Sequence, residues 1–570
     1  MSAFPCSFAD PQLPGNGTSP LYVLMSKSIV ENSRSFARGA GLDGIEAGVA
    51  VPSPLSVSAF IGAISRRPAL FAFVVGLLLT SPALFIGFAQ DDWYFLSIFK
   101  ANDAQGFNSK LLNTYTFADG QASGNQALLK SGVLPWWAVE GWRVDMWRPL
   151  TSLSLWIDYQ LFGEQAFPFH VHSWLLYGAL AALAAVWFRR TIGAGRAAVI
   201  AALLFAIDGG HGVAAGWIAN RHALYTALFG IGALLAHDRS CRTGVEFSKS
   251  VAWRALALAL FLVSLFFGEA AIGALAYLAA YAFFIDESAA SRKPIGRVAR
   301  AAISLAPYLA ATAVWRAIYI AAGHGTWGSW LYIDPLAEPL YFIKEALGRY
   351  PALLVGLFAA PDSIVWAALP GVWQALFSAI GAAFAIWMLL VLRPLLSQSR
   401  EARFLLTGSL LAALPMCATI PQDRNLMFAS LGALGVVGLF LDRWARARRE
   451  SPVRARVLAG VWLGAHAIIA PLFLVGMSVA IAVMDRGFQN SNNSVAQFAN
   501  RDTELVVAVN TPLDLLGASF PLARAAQGAP GDFAWAWLSA ARMPVIVQRT
   551  SAHELLLQQE DGFLRRPWSH

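Results

Sequence analysis

Residues 69–95 read ALFAFVVGLLLTSPALFIGFAQDDWYF. The stretch 69–89 holds no ionisable side chain. At about 1.5 Å of rise per residue, it is long enough to cross the roughly 30 Å hydrocarbon core of a bilayer. Arg66 and Arg67 stand just before it, and the acidic pair Asp91 and Asp92 closes it. Such a segment reads as a membrane span, basic at its start and acidic at its end.

The rest of the chain agrees. Of 570 residues, 57% are apolar and 13% charged, against about 25% charged in an ordinary soluble domain. The mean hydropathy is +0.54. This composition excludes a soluble globule and a disordered chain. The apolar runs are long and unalternating, which excludes a β-barrel. Three scattered cysteines, Cys6, Cys241 and Cys417, make neither a disulfide framework nor a metal-ligand spacing.

Further apolar runs fall at about 170–188, 197–210, 217–236, 255–268, 270–285, 301–320, 365–392, 404–420, 425–441 and 457–484. The expected fold class is therefore an all-α polytopic membrane protein of about 11 transmembrane helices. Residues 1–66 are expected to be a cytoplasmic N-terminal segment. No secretory leader is expected there, because the first long apolar run begins only near Ala69. Residues 67–484 form the transmembrane domain, with 90–169 as a long first extracytoplasmic loop. Residues 485–570 are expected to form a small extracytoplasmic α+β domain, since ELVVAVN (504–510) and MPVIVQRT (543–550) read as short strands.

The net charge of +8 is mostly arginine. It collects in alternate loops, around Arg189–Arg196, Arg239–Arg254, Arg292–Arg300, Arg393–Arg403 and Arg443–Arg456. Positive-inside loops explain this better than nucleic-acid binding, and they put the N-terminus in the cytoplasm and the C-terminus outside. The same rule favours two short spans in a hairpin over one long helix at 255–285. The segment 339–360 carries Lys344, Glu345 and Arg349 and is read as an interfacial helix on the outer face.

Ionisable residues at span ends are costly and point to function. On the non-cytoplasmic side collect Asp91, Asp92, Arg148, His170, His211, Arg221, Glu269, Arg316, Asp423 and Arg424. Arginines hold phosphate through charge-assisted hydrogen bonds, and a carboxylate beside them can act as a general base. That pairing suits transfer of a sugar from a lipid-linked sugar phosphate. A neutralised phosphate leaves readily, so one base acting on an acceptor hydroxyl suffices, as in one half of an inverting glycosidase. A divalent ion on Asp91 and Asp92 is an alternative use of the pair, but no further carboxylate lies near and no metal site is expected. Arg221 and Glu269 have the alternative of pairing with each other, and the two histidines that of structural hydrogen bonding. Several of the 21 tryptophans lie in the first loop, as sugar-stacking faces or interfacial anchors.

Five stretches together resemble the GT-C superfamily of integral-membrane glycosyltransferases, and within it the protein O-mannosyltransferase-like branch that includes the transmembrane-and-tetratricopeptide O-mannosyltransferases. They are DDWYF (91–95), WRPLTSLSLWIDYQLFGEQAFPFHVHSWLLY (147–177), DGGHGVAAGWIANRHALYTALF (208–229), FFGEAA (266–271) and PQDRNLMFASLGAL (421–434). The matching positions are Asp91, Asp92, Arg148, Pro149, Leu150, Gly163, His170, His211, Trp217, Arg221, Glu269, Arg424 and Gly432. The chain departs from the pattern at Val213 (Glu in the family), Gly268 (Lys), Ser173 (Asn) and Tyr177 (His), and it lacks the repeats.

The resemblance implies an inverting transferase with Asp91 as base, alternatively Asp92. Donor phosphate and substrate would be held by Arg148, Arg221, Arg424, Glu269, His211, His170 and Trp217. It further implies a polyprenyl-phosphate sugar donor, no required cofactor and an active site outside the cytoplasm. The acceptor would be a protein, a glycan or a glycolipid, with lipid A or another cell-envelope glycan as an alternative to protein. Membrane lipid is an expected partner and nucleic acid is not. High alanine and arginine usage suggests a bacterial inner membrane. The competing readings are a flippase or transporter of lipid-linked sugars and a non-catalytic scaffold.

Overall fold

A computed structural model of the chain describes residues 66–102, 108–242, 246–286, 294–329, 331–498, 505–511, 520–524, 534–539, 545–551 and 554–558. The expected N-terminal segment lies outside them, apart from Arg66.

Among the described residues, eight helices are long and apolar enough to cross a membrane. They are Pro68–Phe85, Ala166–Ile192, Phe247–Phe267, Val298–Ala321, Gly371–Gln398, Arg400–Ala418, Met427–Arg446 and Val453–Gly487. A bent pair, Arg196–Ala206 and Gly209–Gly216, makes a ninth if it is one span, with a 41° break. The two remaining expected spans are helices as well. Arg221–Ser240 carries too many ionisable residues to pass as apolar, and Glu269–Phe284 is short. The chain does break between two helices at Gly268, as the hairpin reading required. The span expected from 365 starts instead at Gly371, because Pro370 holds an extended conformation and the residue before it cannot continue a helix. Helix Pro339–Phe358 is not among the eight.

The core is built on α1 (Pro68–Thr80), α5 (Ala166–Ile192), α6 (Arg196–Ala206), α8 (Arg221–Ser240), α10 (Gly273–Phe284), α15 (Arg400–Ala413) and α16 (Met427–Arg446). Helix α16 is the most enclosed of the spans, with 83% of its apolar window buried. Its glycines explain how. A Cβ on Gly432 would stand 2.1 Å from the Leu405 carbonyl oxygen, and one on Gly438 would stand 2.6 Å from that of Ala197. Small residues let backbones approach this closely, which is how helices associate where lipid removes the hydrophobic drive. Tyr277 then bridges α10 to α16, donating to the Phe428 carbonyl at 2.6 Å and accepting from the Gly432 amide at 2.7 Å.

The first loop is folded. It runs through α2 (Asp91–Asn102), β1 (Thr116–Asp119), α3 (Ala122–Lys130), β2 (Arg143–Asp145) and α4 (Pro149–Phe162). Proline at the first position starts α1 and α4, and Gly163, at φ +59°, ends α4. Strand β3 (Gly325–Trp327), from a distant loop, completes an antiparallel sheet in the order β1-β2-β3. Phe95, Phe99, Tyr115, Val144, Leu155 and Phe169 fill the core beneath it.

The last long helix, α18 (Ala470–Phe498), runs through the expected boundary at 485. Both stretches read as strands in the tail are strands: β4 (Leu505–Ala508) pairs in parallel with β5 (Ala534–Trp537), and β6 (Ile546–Arg549) pairs antiparallel with β7 (Leu555–Gln558). The tail is anchored on the first loop, where Trp537 Nε1 donates to the Gly132 carbonyl at 2.9 Å and stacks edgewise on Trp137.

Candidate functional site

The turn between α1 and α2 presents the acidic pair. Gln90 adopts φ +51°, which non-glycine residues seldom do. It reverses the chain so that Asp91 and Asp92 open α2. The two carboxylates then diverge. Asp92 is buried, accepting from the Ala89 amide at 2.9 Å and from the Ala219 amide at 2.8 Å. It clamps the end of the first span to the turn before α8. Asp91 makes no hydrogen bond or ion pair among the described residues. Burial pushes its carboxyl up to about 6, with Arg424 and then Arg148 pulling the other way.

Arg424 is the complementary group. It lies over the Trp217 ring at 5.2 Å. Its guanidinium makes no hydrogen bond or ion pair among the described residues, and its Nε is buried without a partner. An arginine left unpaired in a buried setting is costly, and an anion would satisfy it. Arg148 is a second basic group whose charge acts on Asp91. Its Nε donates to Glu269 at 2.9 Å, and its guanidinium lies 4.8 Å from the Tyr115 ring centroid. Tyr332 feels the charges of Arg424, Arg148, Asp91 and Glu269 together, so these side chains share one electrostatic neighbourhood.

The other expected site residues support this arrangement, Trp217 with its ring under Arg424. Trp217 donates Nε1 to the Ala89 carbonyl at 3.1 Å, and His170 Nε2 bonds the Gly87 carbonyl at 3.2 Å. With Asp92, they grip the turn that aims Asp91. His211 bridges the Phe205 carbonyl and Ser430 Oγ, each at 3.1 Å, tying the bent span to α16.

Arg221 does not pair with Glu269, the alternative left open by the sequence. It is fully buried. Its Nη1 is bound to Asp158, its Nε donates to Ser173 at 2.9 Å and its Nη2 to the Phe169 carbonyl at 2.7 Å. In this position its guanidinium is taken up by protein partners. Arg316 is spent on Asp334, and Arg349 on Glu345 and the Cys417 carbonyl. Asp423 accepts from Ser363 Oγ at 2.6 Å, and burial, reinforced by Asp362, pushes its carboxyl well above the usual range. Among the described residues no three His, Cys, Asp or Glu side chains form a group suited to a metal ion.

The sequence reading missed Asp158, whose carboxylate holds both Arg221 and His172 Nδ1, the latter at 2.9 Å, with His172 Nε2 bonded to Tyr225 at 2.7 Å. The signal was a lone aspartate inside the quoted stretch WIDYQLFG. It also missed His222, beside Arg221, and Tyr332.

No protein-family model matches the chain, and no curated protein matches it in sequence. Solved structures do. An oligosaccharyltransferase of Archaeoglobus fulgidus, tethered to an acceptor peptide, matches at a TM-score of 0.44 and 14% identity over 81% of this chain and 64% of its own. AglB, an oligosaccharyltransferase also from Archaeoglobus fulgidus, with an inhibitory peptide and a dolichol-phosphate, matches at 0.44 and 13% over 83% and 65%. ArnT of Cupriavidus metallidurans bound to undecaprenyl phosphate matches at 0.40 and 14% over 85% and 90%. The chain thus spans just under two thirds of the length of these two archaeal chains.

Proposed function

We propose that this multi-pass membrane protein is an inverting glycosyltransferase of the GT-C type that takes its sugar from a polyprenyl-phosphate donor. The single observation that carries the reading is the juxtaposition of two unpaired opposite charges, the Asp91 carboxylate and the Arg424 guanidinium, at the end of the first span. Asp91 takes the proton of an acceptor hydroxyl. The hydroxyl oxygen bonds to the anomeric carbon as the bond from that carbon to the phosphate oxygen breaks. The electron pair leaves on polyprenyl phosphate, whose charge Arg424 and Arg148 neutralise. A carboxyl near pH 6 suits a base working at neutrality, since it is mostly ionised there yet retains affinity for a proton. Asp92, with both oxygens bound to amides, is the positioning residue of the pair.

On the positive-inside reading the site faces outward, and the composition suits a bacterial inner membrane. The motif stretches favour the O-mannosyltransferase-like branch. A protein, a glycan or a glycolipid can each present the acceptor hydroxyl.

One observation favours a lipid-sugar flippase instead, namely the span broken between Ala206 and Gly209, since interrupted helices mark transport sites at the bilayer midplane. Here the chain just after the break packs against Asp423, whose Cβ lies 3.0 Å from where a Gly210 Cβ would stand. Asp423 neighbours Arg424 in a connection between helices, so the break belongs to the end of the bundle that carries Asp91.

The test uses purified protein in proteoliposomes with a panel of labelled polyprenyl-phosphate sugars. Release of free polyprenyl phosphate by wild type supports the transferase. Labelled lipid that crosses the bilayer unconsumed supports the flippase.

A further inference from the structure

Buried side-chain polar atoms without a partner are few in native proteins and call for an explanation. Three of them meet around Gly268. They are His222 Nδ1, Thr226 Oγ1 and Glu269 Oε1. A Cβ on Gly268 would lie 2.9 Å from Thr226 Oγ1 and 3.4 Å from His222 Nδ1, and Glu269 is the next residue. His222 and Thr226 sit one turn apart at the start of α8, so they share a face. Their setting is fixed. Tyr115 meets the His222 ring edge-on at 5.8 Å, Ser264 Oγ donates to the Thr226 carbonyl at 2.7 Å, and Arg148 holds the other Glu269 oxygen.

The patch adjoins the Asp91 site, because Glu269 is held by Arg148 at 2.9 Å, and Arg148 and Arg424 both act electrostatically on His222. It nevertheless differs in chemistry. The arginines offer charge to a phosphate. The patch offers a carboxylate oxygen, a hydroxyl and an imidazole nitrogen, groups that accept hydrogen bonds from hydroxyls. A molecule that carries several hydroxyls directly beside a phosphate is a glycosyl phosphate. We infer that His222, Thr226 and Glu269 form the subsite that takes the ring hydroxyls of the transferred sugar, and so determine which sugar is used. This rests on the polyprenyl-phosphate sugar reading above. A site built to hydrogen-bond a hydroxyl rejects analogues lacking it, because its buried polar atoms are then left unpaired.

The test compares two kinds of lipid on the full-length protein in nanodiscs: bare undecaprenyl phosphate, and the same lipid carrying a mannosyl, glucosyl or N-acetylhexosaminyl group. The variants are Thr226→Val, which keeps the shape and loses the hydroxyl, and His222→Phe, which keeps the ring against Tyr115. Thr226→Ser restores the hydroxyl. Each of the first two is expected to bind the preferred glycosylated lipid on the order of tenfold more weakly, the cost of one hydrogen bond. Affinity for bare undecaprenyl phosphate stays unchanged, and Thr226→Ser recovers most of the loss. Equal weakening toward both lipids, or no change toward either, overturns the subsite and leaves those atoms to water or packing. A wild type that binds bare undecaprenyl phosphate and none of the glycosylated forms overturns the transferase reading and the subsite with it.

Discussion

Asp91→Asn is expected to lower turnover by about 10²–10⁴-fold while leaving the protein at least as stable as wild type. The two halves of this expectation have one origin. The Asp91 carboxyl is pushed up to about 6 from an ordinary 3.8 because burial outweighs the pull of Arg424 and Arg148. A carboxyl whose folded value exceeds its unfolded one gives its full stabilisation below 3.8, where it is protonated in both states. That contribution is lost as pH rises through about 6. At neutral pH the wild type therefore carries a charge the fold disfavours, and a neutral amide of the same shape removes it. The chemistry runs the other way, since the base must be ionised. Wild-type kcat/KM should be flat above pH 7 and fall about tenfold per unit below 6, whereas an unshifted aspartate would hold its rate down to about pH 4. The amide accepts no proton and should cost about 10²–10⁴ in kcat. The assay is release of polyprenyl phosphate between pH 4.5 and 8, with the thermal midpoint of both proteins followed in the same detergent. A variant that keeps its turnover, or a wild-type profile still flat at pH 5, refutes the assignment of Asp91 as base.

Other outcomes follow from the same geometry. Asp92→Ala should destabilise by about 2–5 kcal/mol, since it strands two buried amides, and the loss should show in the thermal midpoint before any effect on chemistry. Arg221→Met leaves the Asp158 carboxylate in the interior with His172 as its remaining partner among the described residues; a loss of about 3–5 kcal/mol is expected, and the double variant with Asp158→Asn should recover part of it. Arg424→Gln should weaken binding of bare undecaprenyl phosphate and, by removing the charge that opposes burial, move the acid limb of the pH profile upward; an unmoved limb would separate Arg424 from Asp91. Gly432→Ala places a methyl against the Leu405 carbonyl, so it should lower the midpoint and slow assembly of α16 without changing the pH profile.

The sequence by itself determined what depends on local sums. Spans such as 69–89 and 457–484 are visible because a bilayer responds to hydropathy averaged over one segment, whatever lies beside it. The strands at 504–510 and 543–550 are visible for a similar reason, since alternation and turn residues lie within a few positions. The acidic pair at 91–92 stood out because charge at a span end is costly wherever the helix packs. Only the tertiary structure decided which of those charges are free. Glu269 is taken by Arg148, 121 positions away, and Arg221 by Asp158, 63 positions away. No spacing rule chooses between such partners, because the choice depends on which helix faces touch. The same holds for Asp91 and Asp92. They are adjacent and chemically identical, and they are separated because the nearby amide of Ala89 and the amide of Ala219, arriving from a distant turn, bind one carboxylate and leave the other in the field of Arg424.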